Sequence, residues 1–339
     1  MGPAEALRRI AYLLERDGAE TYKVRAFRRA AAVVDEVDPL ELERLAAPGG
    51  LKRLEGVGET TARVIAEAVA GKVPGYLKEL ELSEPVLLSS AALAIRARLK
   101  GDCHSHSDWS DGGSPILEMA RSAAEMGHDY LALTDHSPRL TVARGLSAER
   151  LRDQLDVVAG VNQQLAPFRL FTGIEVDILE DGSLDQDDDL LAQLDVVVGS
   201  VHSKLRMDAP DMTRRLVRAV ESPHCDILGH CTGRLVTGKG REPSRFDPST
   251  VFAACASTGT AVEINSRPER RDPPEELLRL AVELGCWLSI DTDAHAPGQL
   301  EWLGLGCEQA AQAGVDPASI VNSWPAEQLL EWAAEHGAS

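Results

Sequence analysis

No apolar run in this chain approaches the roughly 18 residues a membrane-spanning helix needs, so no membrane partner is expected. The first residues, MGPAEALRRIAYLLERDG, carry internal charges at amphipathic spacing and read as a helix rather than a secretion signal. Cys-x-x-Cys pairs are also missing: the six cysteines stand apart at 103, 225, 231, 255, 286 and 307. That scatter is expected of reduced thiols in a cytoplasmic protein. Positive charge is scarce in one part only. Residues 1–100 hold 16 Lys/Arg against 15 Asp/Glu, whereas residues 101–339 hold 19 against 39. A near-neutral head therefore precedes a very acidic body, which repels phosphate unless bound cations reverse the field at its site.

Residues 1–82 read as short helices. The first lies near 3–16, the second near Tyr22–Val37, and a third begins at Pro39 and ends at Pro48-Gly49-Gly50. Next comes Leu51-Lys-Arg-Leu-Glu-Gly56-Val57-Gly58, then an amphipathic stretch to Val69, which reads as helix, turn, helix. Glycines let backbone amides approach a phosphate, and the following helix N-terminus favours an anion. The turn resembles a helix-hairpin-helix, a motif that grips DNA backbone without reading sequence. Together with Tyr22-Lys-Val-Arg-Ala-Phe-Arg-Arg-Ala-Ala31, it makes the head similar to the small N-terminal domain of family X DNA polymerases. That resemblance implies DNA contacts at Lys23, Arg25, Arg28, Arg29, Gly56, Val57 and Gly58. Some relatives place a Schiff-base lysine after the hairpin. Here Thr60, Arg63 and Val64 stand there, and lyase chemistry is not expected.

Residues 83–99 read as a short linker that starts at Pro85 and alternates toward the next domain through Ile95, Ala97 and Leu99. About 20 residues cannot encode a polymerase palm, since domains begin near 50. The nearest imitation of a palm Asp-x-Asp, Gly182-Ser183-Leu-Asp-Gln-Asp187, sits in an acidic loop and reads as a solvated turn before a helix.

From 100 onward, apolar runs alternate with helical patterns, as in βα units around a parallel sheet. Seven strands are expected, at Leu99–Cys103, Tyr130–Thr134, Leu170–Ile174, Val196–Val201, Ile227–Gly229, Ala261–Ile264 and Trp287–Ile290. Most end in residues suited to holding a metal. His104-x-His106 comes first, with Asp111 five residues on. After it stand Asp135-His136, Glu175 with Asp177, His202, His230, and Asp293 with His295. In a strand, residues i and i+2 share a face, so His104 and His106 converge. Strand ends of α/β barrels bring such groups together from separate loops. Mixed imidazole and carboxylate donors suit Zn²⁺, Mn²⁺ or Fe²⁺. His128, His224 and His336 fall outside this pattern and read as structural or exposed.

The motifs G-D-C-H-S-H-S, L-T-D-H-S, G-I-E-V-D-I, S-V-H-S, G-H-C-T-G-R, V-E-I-N-S and D-T-D-A-H make the body resemble a PHP (polymerase and histidinol phosphatase) domain. That resemblance implies an α/β fold, a distorted (β/α)7 barrel over residues 100–339, behind an all-α head. It also implies three divalent metal ions. The first would be held by His104, His106, Glu175 and Asp293; the second by Glu175, His202 and His230; the third by Asp111, His136 and His295. Relatives usually carry proline at Cys231, where a thiol either modulates a metal or packs. The activity implied is hydrolysis of a phosphate ester by metal-activated water. His104, His106, Glu175 and Asp293 would be its catalytic core, and Arg234 its best phosphate-binding cation, ahead of Lys204, Arg206, Lys239, Arg241, Arg267 and Arg270. With the head attached, the expected substrate is DNA, at 3′ ends or at abasic or blocked termini, without a nucleotide cofactor. The alternatives are a small-molecule phosphatase, such as one acting on histidinol phosphate, and a DNA-binding module without catalysis.

Overall fold

A computed structural model describes residues 1–47, 49–83 and 87–335. The readings placed on Pro48, Pro85 and His336 lie outside the described residues. The chain divides into two compact units, residues 1–87 with 296–299, and residues 88–295 with 300–339.

The first unit is all-helical, with α1 Pro3–Arg16, α2 Thr21–Glu36, α3 Pro39–Leu45, α4 Glu59–Val69 and α5 Gly75–Glu81. Leu7, Ile10, Leu13 and Leu14 repeat at three- and four-residue spacing along α1. They bury against Phe27, Ala31 and Val34 of α2 and Val64 and Ile65 of α4. One expectation is corrected here. The segment before the Gly56–Gly58 turn is not a full helix but a single 3₁₀ turn, Leu51–Arg53. Gly49 and Gly56, both with positive φ (81° and 95°), bracket it and leave no length for an α-helix.

The second unit opens with α6, Ser90–Arg96, capped by Ser89 Oγ, which accepts from Ala92 N at 3.2 Å. The expected extended linker is thus partly helical: Ala92 and Ile95, three apart, are both buried, which an alternating strand would not allow. Then come β1 Gly101–Ser105, β2 Tyr130–Leu133, β3 Arg169–Asp177, β4 Val196–Ser200, β5 Ile227–Leu228, β6 Ala261–Asn265 and β7 Leu288–Asp291. They pair in parallel in that order. Helices flank the sheet between strands: α7 Ile116–Glu125, α8 Ala148–Leu165, α9 Asp188–Leu191, α10 Ala209–Val220, α11 Pro248–Thr258 and α12 Glu275–Glu283. After β7 come α13 Leu303–Ala313 and α14 Ala326–Glu335. Strands covered on both faces read as near-continuous apolar runs, and β4, Val-Val-Val-Gly-Ser, is buried throughout.

The sheet curls until β7 lies beside β1. At the C-terminal end, His106 N donates to the Ala294 carbonyl at 2.8 Å. Lower down, the buried Asn322 fills the seam. Its Nδ2 donates to the Gly101 carbonyl (3.0 Å) on one side and the Ile290 carbonyl (2.6 Å) on the other. Its Oδ1 accepts from Ile290 N at 3.1 Å, and its own carbonyl accepts from Lys100 N at 2.8 Å. One amide side chain therefore does part of the work of a strand ladder, and the barrel is nearly closed. Among the described residues, no helix is long and apolar enough to cross a membrane.

Candidate metal centre

Parallel strands end on one rim, and the sequence places a donor at most of those ends. The structure brings all nine expected ligands together there. Glu175, buried on β3, is the hub. Its Oε2 lies 2.9 Å from His136 Nδ1, 3.4 Å from His104 Nε2 and 3.5 Å from His106 Nε2. Its Oε1 lies 2.9 Å from His230 Nε2 and 3.2 Å from His202 Nε2. Asp293 Oδ1 sits 3.3 Å from His106 Nε2 and 4.0 Å from His104 Nε2. Asp111 Oδ1 lies 3.5 Å from His136 Nε2 and 3.4 Å from His295 Nε2. Asp293 adopts a left-handed backbone (φ 53°), a strained conformation for a non-glycine residue, of the kind that clusters at functional sites.

The donors fit a divalent-metal centre on their own chemistry. Buried polar atoms are normally hydrogen-bonded. Here His104 Nε2, both ring nitrogens of His106 and of His202, His136 Nδ1, His230 Nδ1 and Glu175 Oε2 are buried without a hydrogen-bond partner. Three groups offer ligand atoms within 4.8 Å of one another: His104–His106–Glu175, His136–Glu175–His202, and His106–Asp111–His136–His295. His106 and His136 each belong to two groups, a sharing that the residue order alone does not show.

The charges are strongly coupled. Burial alone would raise the Glu175 carboxyl, but His202, His136 and His104 hold it well below the usual range. Asp293 is likewise raised by burial and more than offset by Arg267 and Arg270. Burial, then His295 and His136, push His106 down to about 3, which keeps its ring in the neutral form that ligates metals.

Around the donors lies a set of buried carboxylates. Glu263, fully buried on β6, has no place among the donors expected from the sequence. Its Oε1 lies 2.6 Å from His104 Nδ1, and its Oε2 accepts from the backbone N of His230 and from Asn265 Nδ2 (3.2 Å). The only trace in the sequence is the inward spacing of Glu263 and Asn265 in V-E-I-N. Asp135 gathers the loop that carries His106 and Asp111. It accepts from Ser107 N (2.8 Å), Ser107 Oγ (2.6 Å), Ser110 Oγ and Gln154 Nε2 (2.7 Å). Asp177 accepts from His202 N at 3.1 Å.

Arg234 is placed differently from the expectation. Its Nε and Nη2 donate to the carbonyls of Arg270 and Arg271, which ties its guanidinium to the neighbouring loop. The cations against the cluster are Arg270, 3.0 Å from Asp293 Oδ2, and Arg267, 3.4 Å from Asp293 Oδ1. Cys231 packs in the apolar core with Sγ 3.8 Å from Asp272 Oδ1, and burial keeps its thiol well above the usual value. His128 is buried against Arg96, and His224 is half-buried, both away from the donors.

In the helical unit the expected DNA contacts divide. Lys23 and Arg25 are exposed on α2. Arg28 is held by Glu15 through two 2.9 Å bonds, and Arg29 pairs with Glu55 at 2.8 Å. Gly56 turns directly over Arg29, Val57 is buried, and Gly58 N donates to Thr61 Oγ1 at 2.9 Å.

Residues 2–73 match the family described as "Helix-hairpin-helix domain", and residues 102–267 match the "PHP domain". The chain joins a helix-hairpin-helix domain to a PHP domain. It is accordingly a phosphoester hydrolase. Over 252 residues it is 37% identical to the "DNA polymerase/3'-5' exonuclease PolX" of Bacillus subtilis, covering 74% of this chain. It spans only 44% of that relative's length. A "Probable phosphatase" of Syntrophotalea carbinolica is 29% identical over 232 residues, 65% of this chain and 90% of that one. A solved histidinol phosphate phosphatase from Lactococcus lactis, complexed with zinc, L-histidinol and phosphate, aligns with a TM-score of 0.43. That alignment has 16% identity over 64% of this chain and 94% of that one, too distant a likeness to carry any functional inference.

Proposed function

We propose that this PHP domain hydrolyses DNA phosphodiesters at 3′ ends, or at abasic or blocked 3′ termini, while the helical head docks on the DNA backbone. The observation that carries the reading is the presence, in one chain, of a fully furnished donor cluster and a helix-hairpin-helix head with exposed Lys23 and Arg25. The similarity to a relative named an exonuclease supports the same reading. DNA repair is the setting such an activity fits.

His104, His106, Glu175 and Asp293 would hold a first ion, Glu175 with His202 and His230 a second, and Asp111, His136 and His295 a third. Mn²⁺, Zn²⁺ and Fe²⁺ all suit these donors. Divalent ions held by these residues would supply Lewis acidity, which activates water and offsets charge on phosphate. The protein's own part is geometric and electrostatic. Glu175 is shared by two of the three donor groups and lies 2.9 Å from His136 of the third, and Glu263 and Asp135 fix the rings and the loop around them. Arg267 and Arg270, already beside Asp293, are the guanidinium groups placed to meet a nonbridging phosphate oxygen. Arg234 supports them by clamping the loop that carries Arg270.

A second reading, hydrolysis of a small phosphate ester, draws on the phosphatase-named relative, which this chain matches over 90% of its length. One experiment separates the two. Protein loaded with Mn²⁺ is offered end-labelled DNA with 3′-hydroxyl, 3′-phosphate and abasic ends, alongside histidinol phosphate. His106→Ala serves as the control for the centre. Shortening of the DNA that disappears in the control supports the first reading. Rapid phosphate release from histidinol phosphate with intact DNA overturns it.

A further inference from the structure

Two adjoining loops of the acidic body carry an excess of positive charge. Residues 234–245 and 267–271 hold seven of the 19 basic residues between 101 and 339, and only two of the 39 acidic ones. The first loop comes directly after His230. It folds back as a tight hairpin in which Leu235 N donates to the Arg241 carbonyl (3.0 Å) and Arg241 N to the Leu235 carbonyl (2.8 Å). Gly238 and Gly240, with φ of 65° and 66°, make its tip, and Lys239 stands exposed between them. The hairpin is fastened to the second loop: Val236 N donates to the Glu269 carbonyl at 2.7 Å, and the Arg234 side chain holds the Arg270 and Arg271 carbonyls. The second loop reaches the centre through Arg270 on Asp293. The exposed Lys239, Arg241, Arg245 and Arg271 therefore stand on the same two fastened loops as Arg270 and Arg267, which reach the centre.

Resting on the DNA reading above, we infer that this basic rim is a guide for a single nucleic-acid strand, which tracks along Lys239, Arg245 and Arg271 to present its terminal phosphodiester to the cluster. Two features favour a strand over a small ester. A single phosphate at the cluster needs only Arg267 and Arg270, and the outer cations would have nothing to contact. Outside these two loops the body holds 12 basic residues against 37 acidic ones, a balance that disfavours a polyanion elsewhere on it. At physiological salt, fields fade over about 8 Å, so the charge lining the mouth decides the path.

The test compares the full chain with a K239Q/R245Q/R271Q variant, both loaded with Mn²⁺, on a short single-stranded oligonucleotide and on bis-p-nitrophenyl phosphate. For single strands each lost phosphate contact flattens the salt dependence by about 0.7 in log–log slope, so the variant's kcat/KM on DNA should flatten by roughly 2. At low salt it should fall about tenfold or more, while the small diester is cleaved within about twofold of the parent rate. An oligonucleotide cleaved equally well by the variant overturns the strand guide and leaves the DNA reading intact. Equal losses on both substrates also overturn it, because the rim would then act on the centre and not on the strand. A parent protein that cleaves only the small diester overturns the DNA reading and the guide together.

Discussion

In a Glu263→Gln protein, His104 Nδ1 would face a neutral amide instead of the carboxylate oxygen now 2.6 Å away. The substitution keeps the shape and removes the charge, and it also breaks the hydrogen-bond arithmetic. His104 Nδ1, His230 N and Asn265 Nδ2 all bring hydrogens to the two Glu263 oxygens. Glutamine offers one acceptor and one donor, so either amide orientation leaves a buried donor facing a donor. A mismatch of that kind costs about 1–3 kcal/mol. Loss of the carboxylate that makes a ligating imidazole more basic typically costs 10- to 100-fold in metal affinity. The expectation is therefore a protein that folds but loads its first ion only at roughly 10- to 100-fold higher free metal. Equilibrium dialysis of metal-free protein against stepped Mn²⁺, with bound metal counted, measures the affinity directly. Thermal denaturation of the metal-free forms separates a metal defect from a folding one. Unchanged occupancy at the parent protein's free-metal concentration would refute the reasoning.

Asp135→Ala strips four donors of their acceptor at the loop carrying His106 and Asp111; a loss of about 2–4 kcal/mol in urea unfolding is expected, with weaker metal retention. Gly56→Ala is strained by a φ of 95°, and its Cβ, 2.6 Å from Arg29 Nε, would push that exposed side chain aside. It should lower the stability of the head by about 1–3 kcal/mol and weaken duplex binding, read by calorimetry and fluorescence anisotropy. His128 supplies a pH dependence: burial, helped by Arg96, lowers it to about 4. Its unfolded value is near 6.5, so the unfolded chain binds the extra proton first as pH falls. Its contribution is thus fully present above about pH 6.5 and lost between there and pH 4, at most about 3 kcal/mol. A His128→Gln protein should show a smaller drop in urea midpoint between pH 7.5 and pH 5, and an unchanged drop would rule this out.

The strands and the donors at their ends were legible because both rest on local periodicity. A buried parallel strand is a short apolar run, and the residue after it lands on the rim wherever the strand sits in the barrel. His104 and His106 converge by the two-residue repeat alone. What escaped the sequence depends on partners far along the chain. Arg234 is a plausible phosphate ligand by type, yet the carbonyls of residues 270 and 271 claim it. Glu263 reads as one more strand residue until His104 arrives opposite it. The helix at 90–96 was hidden because Ile95, Ala97 and Leu99 also satisfy a two-residue period. The shortened turn before Gly56 comes from the backbone angles of two glycines, which composition shows only as freedom.

Asn322 lies 221 residues beyond Gly101, the strand residue it ties into the barrel. During synthesis, β1 and β7 are therefore complete well before the piece that laces them together leaves the ribosome. His104 and His106 stand on one bank of that seam and Asp293 on the other, so a residue from beyond the last strand helps hold the two halves of the first donor set in register.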